Sequence, residues 1–517
     1  MNHPLKKEIL LVLLCLLVGF ALRFYTFDQK SLWIDEVHTF NESRDNLERQ
    51  FKYYKENPTH LHPPLFFILT HLFYPFEKPE KDLRVIPLIF GTLSIPMIYF
   101  LSRLFTAGIA LPCALSLTFM IYHIYFSQDG RMYSLMMFFG MLTMYHFIRH
   151  LQTHKNRYLI YVAMGYAILF HTSYSSIIFI AFTQMLLFYR MDDTQAKPRI
   201  SSFFILTGTT FILCLPWLFF LFLNYKGQFF MDPLTIQDIG SFSDIMLGVL
   251  GDWAPHLPLM IMTVVLIILF PFFGKNKRNS LILLSLFILP VGGLFLYCKL
   301  LNVTQFITSR YFINFLPFFL LTLYLSLDAI ESNFDRLKRL IRPRIFFTIL
   351  FIASNLILFP LYYRAEKQDF RGLVNYLNQH LRDGDQIIVK TYTYIPGILH
   401  YFKVYPQNRH YSIPYSWITP GKEFEFKVSL TSQDRNFNIY HSNIPYDRYV
   451  DKGGRLWIVV GKGPAVEEVR KIHSCVLKGY FDGSVAMFRK FPSDASMFLF
   501  LWDPKSPNEK GIEMLKD

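Results

Sequence analysis

Long apolar runs recur through the first 360 residues, and no other feature of the sequence restricts the fold as severely. Hydrocarbon supplies no water to a backbone amide, so a run of roughly 18 or more apolar residues must pair its own N–H and C=O groups as a helix. The runs fall near residues 8–26, 83–102, 106–126, 132–148, 158–170, 174–189, 201–223, 256–273, 280–299, 311–328 and 345–362. They predict a polytopic α-helical membrane protein of eleven spans. Composition agrees, since 52% of the 517 residues are hydrophobic and 17% are charged, against about 25% charged in ordinary soluble domains. The opening MNHPLKKEILLVLLCLLVGFALRF has the charged start and apolar centre of a secretory signal but no small-residue cleavage site, so it is read as a retained first helix. Leu65–Phe76 is short for a crossing and is predicted to be an interfacial or re-entrant helix.

The distribution of charge orients these spans. If Leu65–Phe76 does not cross, one face collects Lys6 and Lys7, Arg103, Arg149 with Lys155 and Arg157, Arg190 with Lys197 and Arg199, Lys275 with Lys277 and Arg278, and the basic stretch Arg336–Arg344. That satisfies the positive-inside rule at every short loop. The amino terminus is then cytoplasmic, and loops 27–82, 127–131, 224–255 and 300–310 face outward together with the tail. The net charge of +14 is read as this cytoplasmic bias and not as a nucleic-acid footprint. Cys15, Cys113, Cys214 and Cys298 lie in apolar segments and Cys475 stands alone in the tail, so no disulfide framework is proposed.

Two domains are expected: a membrane domain over 1–362, whose outward loop 27–82 carries an Asp-Glu pair, and a soluble extracytoplasmic α/β domain over 363–517. In the tail, DFRGLVNYLNQHL, IPGILHYF and PAVEEVRKIHSCVL have helical period, while GDQIIVK, RLWIVVGK and VAMFRKF read as strands. The tail carries no Gly-rich phosphate loop and no catalytic constellation, which leaves it a packing or acceptor-guiding role.

Polar residues on the outward face are the candidates for chemistry. Asp35 and Glu36 follow Trp33, whose indole suits the membrane interface and would hold the loop at headgroup depth. Two readings stand for the pair. Asp35 can cap a short amphipathic helix running to Arg49, or it can act as a base that takes a proton from an acceptor hydroxyl, a contribution of about 10²–10⁴-fold. A glycosidase pair is excluded, because neighbours on a helix point about 100° apart and cannot face each other across a sugar at ~5–9 Å. Arg131 and Arg310 each open a membrane helix from the outward side. Either could grip a phosphate bidentately or simply anchor a helix end. His60 and His62 in THLHPPL share one face of an extended segment and suit a phosphate, a metal or a structural turn. His38, Gln128, Asp129, Tyr133, His171 and Tyr311 are candidate pocket-lining groups, with His171 also read as helix-end punctuation.

Taken in order, LWIDEVHTF, HPPLFFILTHLF, SQDGRMYSLMMFF, SRYFINFLP and DFRGLVNYLNQHLRDGDQIIV resemble the membrane glycosyltransferases of family 39 in the GT-C class, among them protein O-mannosyltransferases and the aminoarabinose transferases that modify lipid A. IDEVH is similar to the Asp-Glu-Val-His motif of protein O-mannosyltransferases, and SQDGRMY to a Ser-Gln-Glu-Ala-Arg-Met-Tyr pattern of bacterial members. Asp129 and Gly130 depart from the Glu-Ala of that pattern, and His62 stands where some relatives have Lys. The resemblance implies inverting transfer from a polyprenyl- or dolichyl-phosphate sugar to a lipid, glycan or protein hydroxyl. It also implies Asp35 as the base, Glu36 as an orienting group, and His62 and Arg131 near the donor phosphate. No cofactor is implied with certainty; a divalent metal is allowed. The expected location is a bacterial inner membrane.

A transporter or flippase of lipid-linked sugars would share the helices, the basicity and the aromatics, but would place its charges at mid-membrane on broken helices, often within inverted repeats. An O-antigen ligase or polymerase is closer in chemistry, yet it does not predict the early Asp-Glu loop and the α/β tail together.

Overall fold

The computed structural model describes residues 3–56, 62–189, 200–225, 240–274, 276–300, 307–334, 341–405, 423–450, 454–472, 474–483, 495–503, 505–506 and 511. The chain divides into two compact units. One holds Met1–Asp28 and Glu42–Pro360, and the other holds Gln29–Asn41 with Leu361–Ala486 and Phe491–Asp517. Residues 29–41, in the loop that follows the first helix, thus cluster with the tail.

All eleven apolar runs are helical. Among the described residues, Pro79–Arg103, Ser201–Asn224, Lys277–Leu300, Ser309–Asn333 and Pro343–Arg364 are each long and apolar enough to cross a bilayer, which makes five, or up to seven if two bent helix pairs each count as one span. The difference from eleven has local causes. Asn156–Thr172 has 17 residues, Ser176–Phe188 is shorter still, and Tyr133–Thr153 carries His146, Arg149 and His150 in its last turns. The segment at Pro64–Phe73 settles as a ten-residue helix. At 1.5 Å per residue it spans about 15 Å, half of a hydrocarbon core of about 30 Å, so it cannot cross. Pro63 at its N-cap and Pro64 at its first position stiffen the start. Part of the expected loop 224–255 is a helix, Phe242–Trp253, begun by a capping box between Ser241 and Asp244.

One of the bent pairs shapes the motif SQDGRMY. The helix Ala107–Phe119 breaks at Met120, whose backbone is extended, and resumes as Ile121–Ser127 at 61°. The break removes the ordinary partners of the Leu117 and Thr118 carbonyls. Arg23, fully buried near the end of α1 (His3–Phe24), replaces them, donating to Leu117 O at 2.9 Å and Thr118 O at 3.2 Å. Its guanidinium also reaches Gly19 O at 2.9 Å, Ser127 Oγ at 3.2 Å and His123 Nδ1 at 2.7 Å. The Ile121 N–H, which would have paired with Leu117, donates to Asn355 Oδ1 at 3.0 Å. Gly91 lets the neighbouring helix come close, since a Cβ there would lie 2.1 Å from Ser127 Oγ.

The second unit is built on a mixed six-stranded sheet in the order β2-β3-β1-β4-β6-β5, with β1 Gln386–Val389, β2 Glu425–Ser432, β3 Arg435–Ser442, β4 Leu456–Gly461, β5 Cys475–Phe481 and β6 Met497–Trp502. The central strands β3, β1 and β4 are parallel, with Ile387 opposite both Ile439 and Trp457. Helices cover both faces, so the inner strands read as continuous apolar runs. Phe370–His380 and Ile395–Tyr401 pack over Ile387, Val389 and Trp457, and Pro464–Arg470 over Ile388, Ile458 and Val460.

Two tail expectations change. PAVEEVRKIHSCVL is helical only to Arg470; Ser474 has φ 65°, and Cys475 onward forms β5 against β6. The hairpin β2–β3 was not foreseen, although EFKVSLTSQDRNFNIYHS alternates as a strand pair should. Gln433 and Asp434, both at positive φ, make its two-residue turn. The expected strand VAMFRKF lies outside the described residues.

Candidate functional site

The expected site residues divide between the two units. In the second unit, α2 (Ile34–Ser43) begins with Asp35 and Glu36 in its first turn. The cap does not belong to Asp35. Val37 N–H bonds Trp33 O at 3.0 Å, which makes Trp33 the N-cap, and the Glu36 carboxylate reaches back to accept the Trp33 N–H at 3.3 Å. This is one half of a capping box, made by the third helical residue. Glu36 is fully buried, and its other oxygen lies 3.7 Å from Nζ of the equally buried Lys367. Asp35 is half-buried and His38, one turn on, is exposed. The Asp35 carbonyl accepts the Thr39 hydroxyl at 3.1 Å, as in a regular helix.

The residues just before α2 are held by side chains from the tail. Ser31 N–H donates to Glu366 at 2.9 Å, Leu32 N–H to the Tyr401 hydroxyl at 2.7 Å, and Ile34 N–H to the Gln368 side-chain carbonyl at 2.8 Å. Burial pushes the Glu366 carboxyl above the usual carboxylate range, with the Ser31 N–H acting in the opposite direction. Asp369 is raised for the same reason, opposed by the Gly372 N–H and Arg371.

In the helical unit, Gln128, Asp129 and Arg131 occupy the turn between Ile121–Ser127 and Tyr133–Thr153. Gln128 is structural: its amide donates to Arg23 O at 2.9 Å and Tyr25 O at 2.6 Å, tying this turn to the end of α1. Asp129 and Arg131 are buried. The rings of Tyr133, Phe126, Tyr122 and Trp253 follow one another at 4.8, 4.9 and 6.3 Å between centroids. They carry the cluster to Asp252, whose Oδ2 accepts the Ser309 hydroxyl at 2.6 Å. Ser309 opens the 3-10 segment Ser309–Phe315 that bears Arg310 and Tyr311, with the Arg310 guanidinium 5.4 Å from the Tyr311 ring centroid. The structure thus gathers Tyr133, at the end of the Arg131 turn, and the residue before Arg310 onto one aromatic and polar wall.

His62 has Nε2 3.4 Å from Glu42 Oε1 and its ring against Phe67. His171 packs at the contact with Ser201–Asn224, its Nε2 3.4 Å from Leu213 O. His60 lies outside the described residues. Among the described residues, no group of three or more His, Cys, Asp or Glu could hold a metal ion, so no step is routed through one.

Sequence reasoning missed Asp252, Arg23 and the Glu366-Lys367-Gln368 segment. A charge in the last turn of an apolar helix was the signal for Arg23. A carboxylate in the last turn of an apolar helix was the signal for Asp252. For residues 366–368 only polarity was visible, because their partners lie more than 300 residues away.

Residues 61–220 match the family described as dolichyl-phosphate-mannose-protein mannosyltransferase. A comparison with curated proteins finds no match. Among solved structures, ArnT from Cupriavidus metallidurans in the apo state aligns over 98% of this chain and 100% of its own, with TM-score 0.54 and 8% identity. The same protein bound to undecaprenyl phosphate aligns over 98% and 99%, with TM-score 0.49 and 8% identity. An oligosaccharyltransferase from Archaeoglobus fulgidus aligns over 88% of this chain and 69% of its own, at 0.48 and 12%. With a polytopic helical unit, a C-terminal sheet domain, the apo ArnT likeness in fold and the family match across residues 61–220, the chain is similar to the GT-C membrane glycosyltransferases of family 39.

Proposed function

We propose that the protein transfers one sugar, with inversion, from a polyprenyl- or dolichyl-phosphate donor to an acceptor hydroxyl on the outer face of the membrane, with Asp35 as general base. The observation that carries this reading is the division of labour in the acidic pair. Glu36 is committed to the Trp33 N–H and to Lys367, while the half-buried Asp35 sits in the same first turn with the cap already made by its neighbour. That Glu36 accepts the Trp33 N–H supports assigning the helix-cap reading to Glu36 and the base to Asp35.

The step is a single displacement. Asp35 takes the proton of the acceptor hydroxyl as that oxygen bonds the anomeric carbon on the face opposite the phosphate. The carbon–oxygen bond to phosphate breaks, and polyprenyl phosphate leaves with the electron pair. Arg131 and Arg310 are the cations proposed to hold the leaving phosphate, bidentate pairing being the strength of a guanidinium. His62 would support them. The matching family's description, which names a dolichyl-phosphate sugar, supports the donor class.

The test compares lipid-linked sugars and envelope acceptors by mass spectrometry in cells with and without the gene, and with Asp35→Asn. Accumulation of one polyprenyl-phosphate sugar, with loss of one single-sugar modification, is expected in both the deletion and the variant. An unchanged profile in the deletion would refute the transferase reading.

A further inference from the structure

Four consecutive backbone N–H groups, from Ser31 to Ile34, are all taken up by side chains, and three of those side chains come from the tail: Glu366, Tyr401 and Gln368. The fourth acceptor is Glu36, whose carboxylate is itself paired with the tail residue Lys367. A helix start leaves orphan donors that short local side chains usually satisfy. Here the satisfaction is almost wholly long-range.

The grip extends in both directions. Upstream, Lys30 Nζ donates to Tyr362 O and lies 4.0 Å from the Tyr362 ring centroid, and Arg371 donates to Gln29 O at 3.0 Å and, through its backbone N–H, to Ser31 Oγ at 3.3 Å. Downstream, Phe40 meets the rings of His400 at 4.7 Å and Tyr405 at 5.6 Å. Within residues 29–36 the one local side-chain bond to this turn is that of Glu36 to the Trp33 N–H, and Glu36 is itself paired with Lys367 of the tail.

We propose that Lys367, Gln368 and Tyr401 are positioning residues that set the direction of Asp35, so that the C-terminal domain is a working part of the transfer reaction. The proposal rests on the reading of Asp35 as the base. A reacting group displaced by about 1 Å can lose roughly 10²-fold in rate, which is the scale on which such a clamp acts. Glu366 and Gln368 accept from the backbone, and Lys367 holds the carboxylate that caps the helix, so the clamp orients the turn without touching the substrate.

The experiment uses the full chain in nanodiscs and reads hydrogen exchange over residues 29–41 together with turnover of the lipid extract from cells lacking the gene. Gln368→Leu and Tyr401→Phe each remove one acceptor with little change of volume. Both should speed exchange at residues 31–36 by about 5–10-fold, the worth of one net hydrogen bond, and lower kcat while the donor KM stays within about twofold. Lys367→Met should lower kcat by roughly 10²-fold, and Lys367→Arg, which keeps the cation, should restore most of it. If exchange over residues 31–36 is unchanged in Gln368→Leu and Tyr401→Phe, the clamp is refuted whatever Asp35 does. If exchange rises while kcat is untouched, positioning is refuted. Turnover retained in Asp35→Asn overturns the base reading separately, because Gln368 and Tyr401 keep their bonds to Ile34 and Leu32 in that variant and exchange over residues 31–36 reads the clamp by itself.

Discussion

Changing the two carboxylates of the acidic pair one at a time should give opposite phenotypes. Glu36 is fully buried, and Lys367, 2% exposed, has its Nζ 3.7 Å away. Glu36→Gln breaks that buried ion pair, a loss of about 3–5 kcal/mol. The amide oxygen of Gln still accepts the Trp33 N–H, so the cap itself contributes little to the change. For a domain of this size, at about 2–4 °C per kcal/mol, the melting temperature of the second unit should fall by ~6–20 °C. Asp35→Asn removes a favourable charge from the first turn of α2, worth about 0.3–1 kcal/mol. Its turnover should fall by about 10²–10⁴-fold, which is about 3–5 kcal/mol of barrier. The assay is tryptophan-monitored melting of the full chain in detergent, run beside donor turnover. Combining Glu36→Gln with Lys367→Met removes both charges and should recover most of the lost stability, since the cost lies in breaking the pair from one side. A Glu36→Gln protein that melts with the wild type, or an Asp35→Asn protein that melts far below it and still turns over, refutes the division of labour.

Arg23→Met removes the donors that satisfy the broken helix at Leu117 and Thr118; we expect at least about 3 kcal/mol of destabilisation, and weaker binding of the proposed polyprenyl phosphate by native mass spectrometry because the Arg131 turn loses its seat. Arg131→Ala and Arg310→Ala should each weaken binding of the proposed polyprenyl phosphate about 10–100-fold, the worth of a charge-assisted bond; an unchanged affinity returns that arginine to a helix-anchoring role. Glu366 titrates higher in the folded chain than in the unfolded one. The folded state therefore holds the extra proton between the two values, and this group's contribution to stability falls as pH rises through that window. Melting of Glu366→Gln relative to wild type should accordingly improve as pH rises from the ordinary carboxylate range toward neutrality, and a pH-independent difference would refute the assignment.

The helical unit was legible because its signal is local. Each apolar run must satisfy its own backbone, so the positions of the eleven helices followed from hydropathy, and the strands at Gln386–Val389 and Leu456–Gly461 from short, continuously apolar runs. That the Leu65–Phe76 segment is short for a crossing was legible on the same ground, although its helix runs over Pro64–Phe73. The break at Met120 was not, because the residues that stabilise it, Arg23 and Asn355, lie about a hundred and more than two hundred residues away. The tail hairpin was readable in its alternation. The end of the Pro464–Arg470 helix was not, because β5 depends on pairing with β6.

Residue types and their order alone determined that this chain is a polytopic helical protein with an α/β tail, and that Asp35, Glu36, Arg131 and Arg310 deserve test as functional groups. Tertiary structure decided that Glu36 accepts the Trp33 N–H and pairs with Lys367. Asp35 and Glu36 are chemically alike and one residue apart, so no periodicity or propensity distinguishes them. The distinction comes from Trp33 N–H and from Lys367, brought beside Glu36 by the fold from more than 300 positions further along the chain.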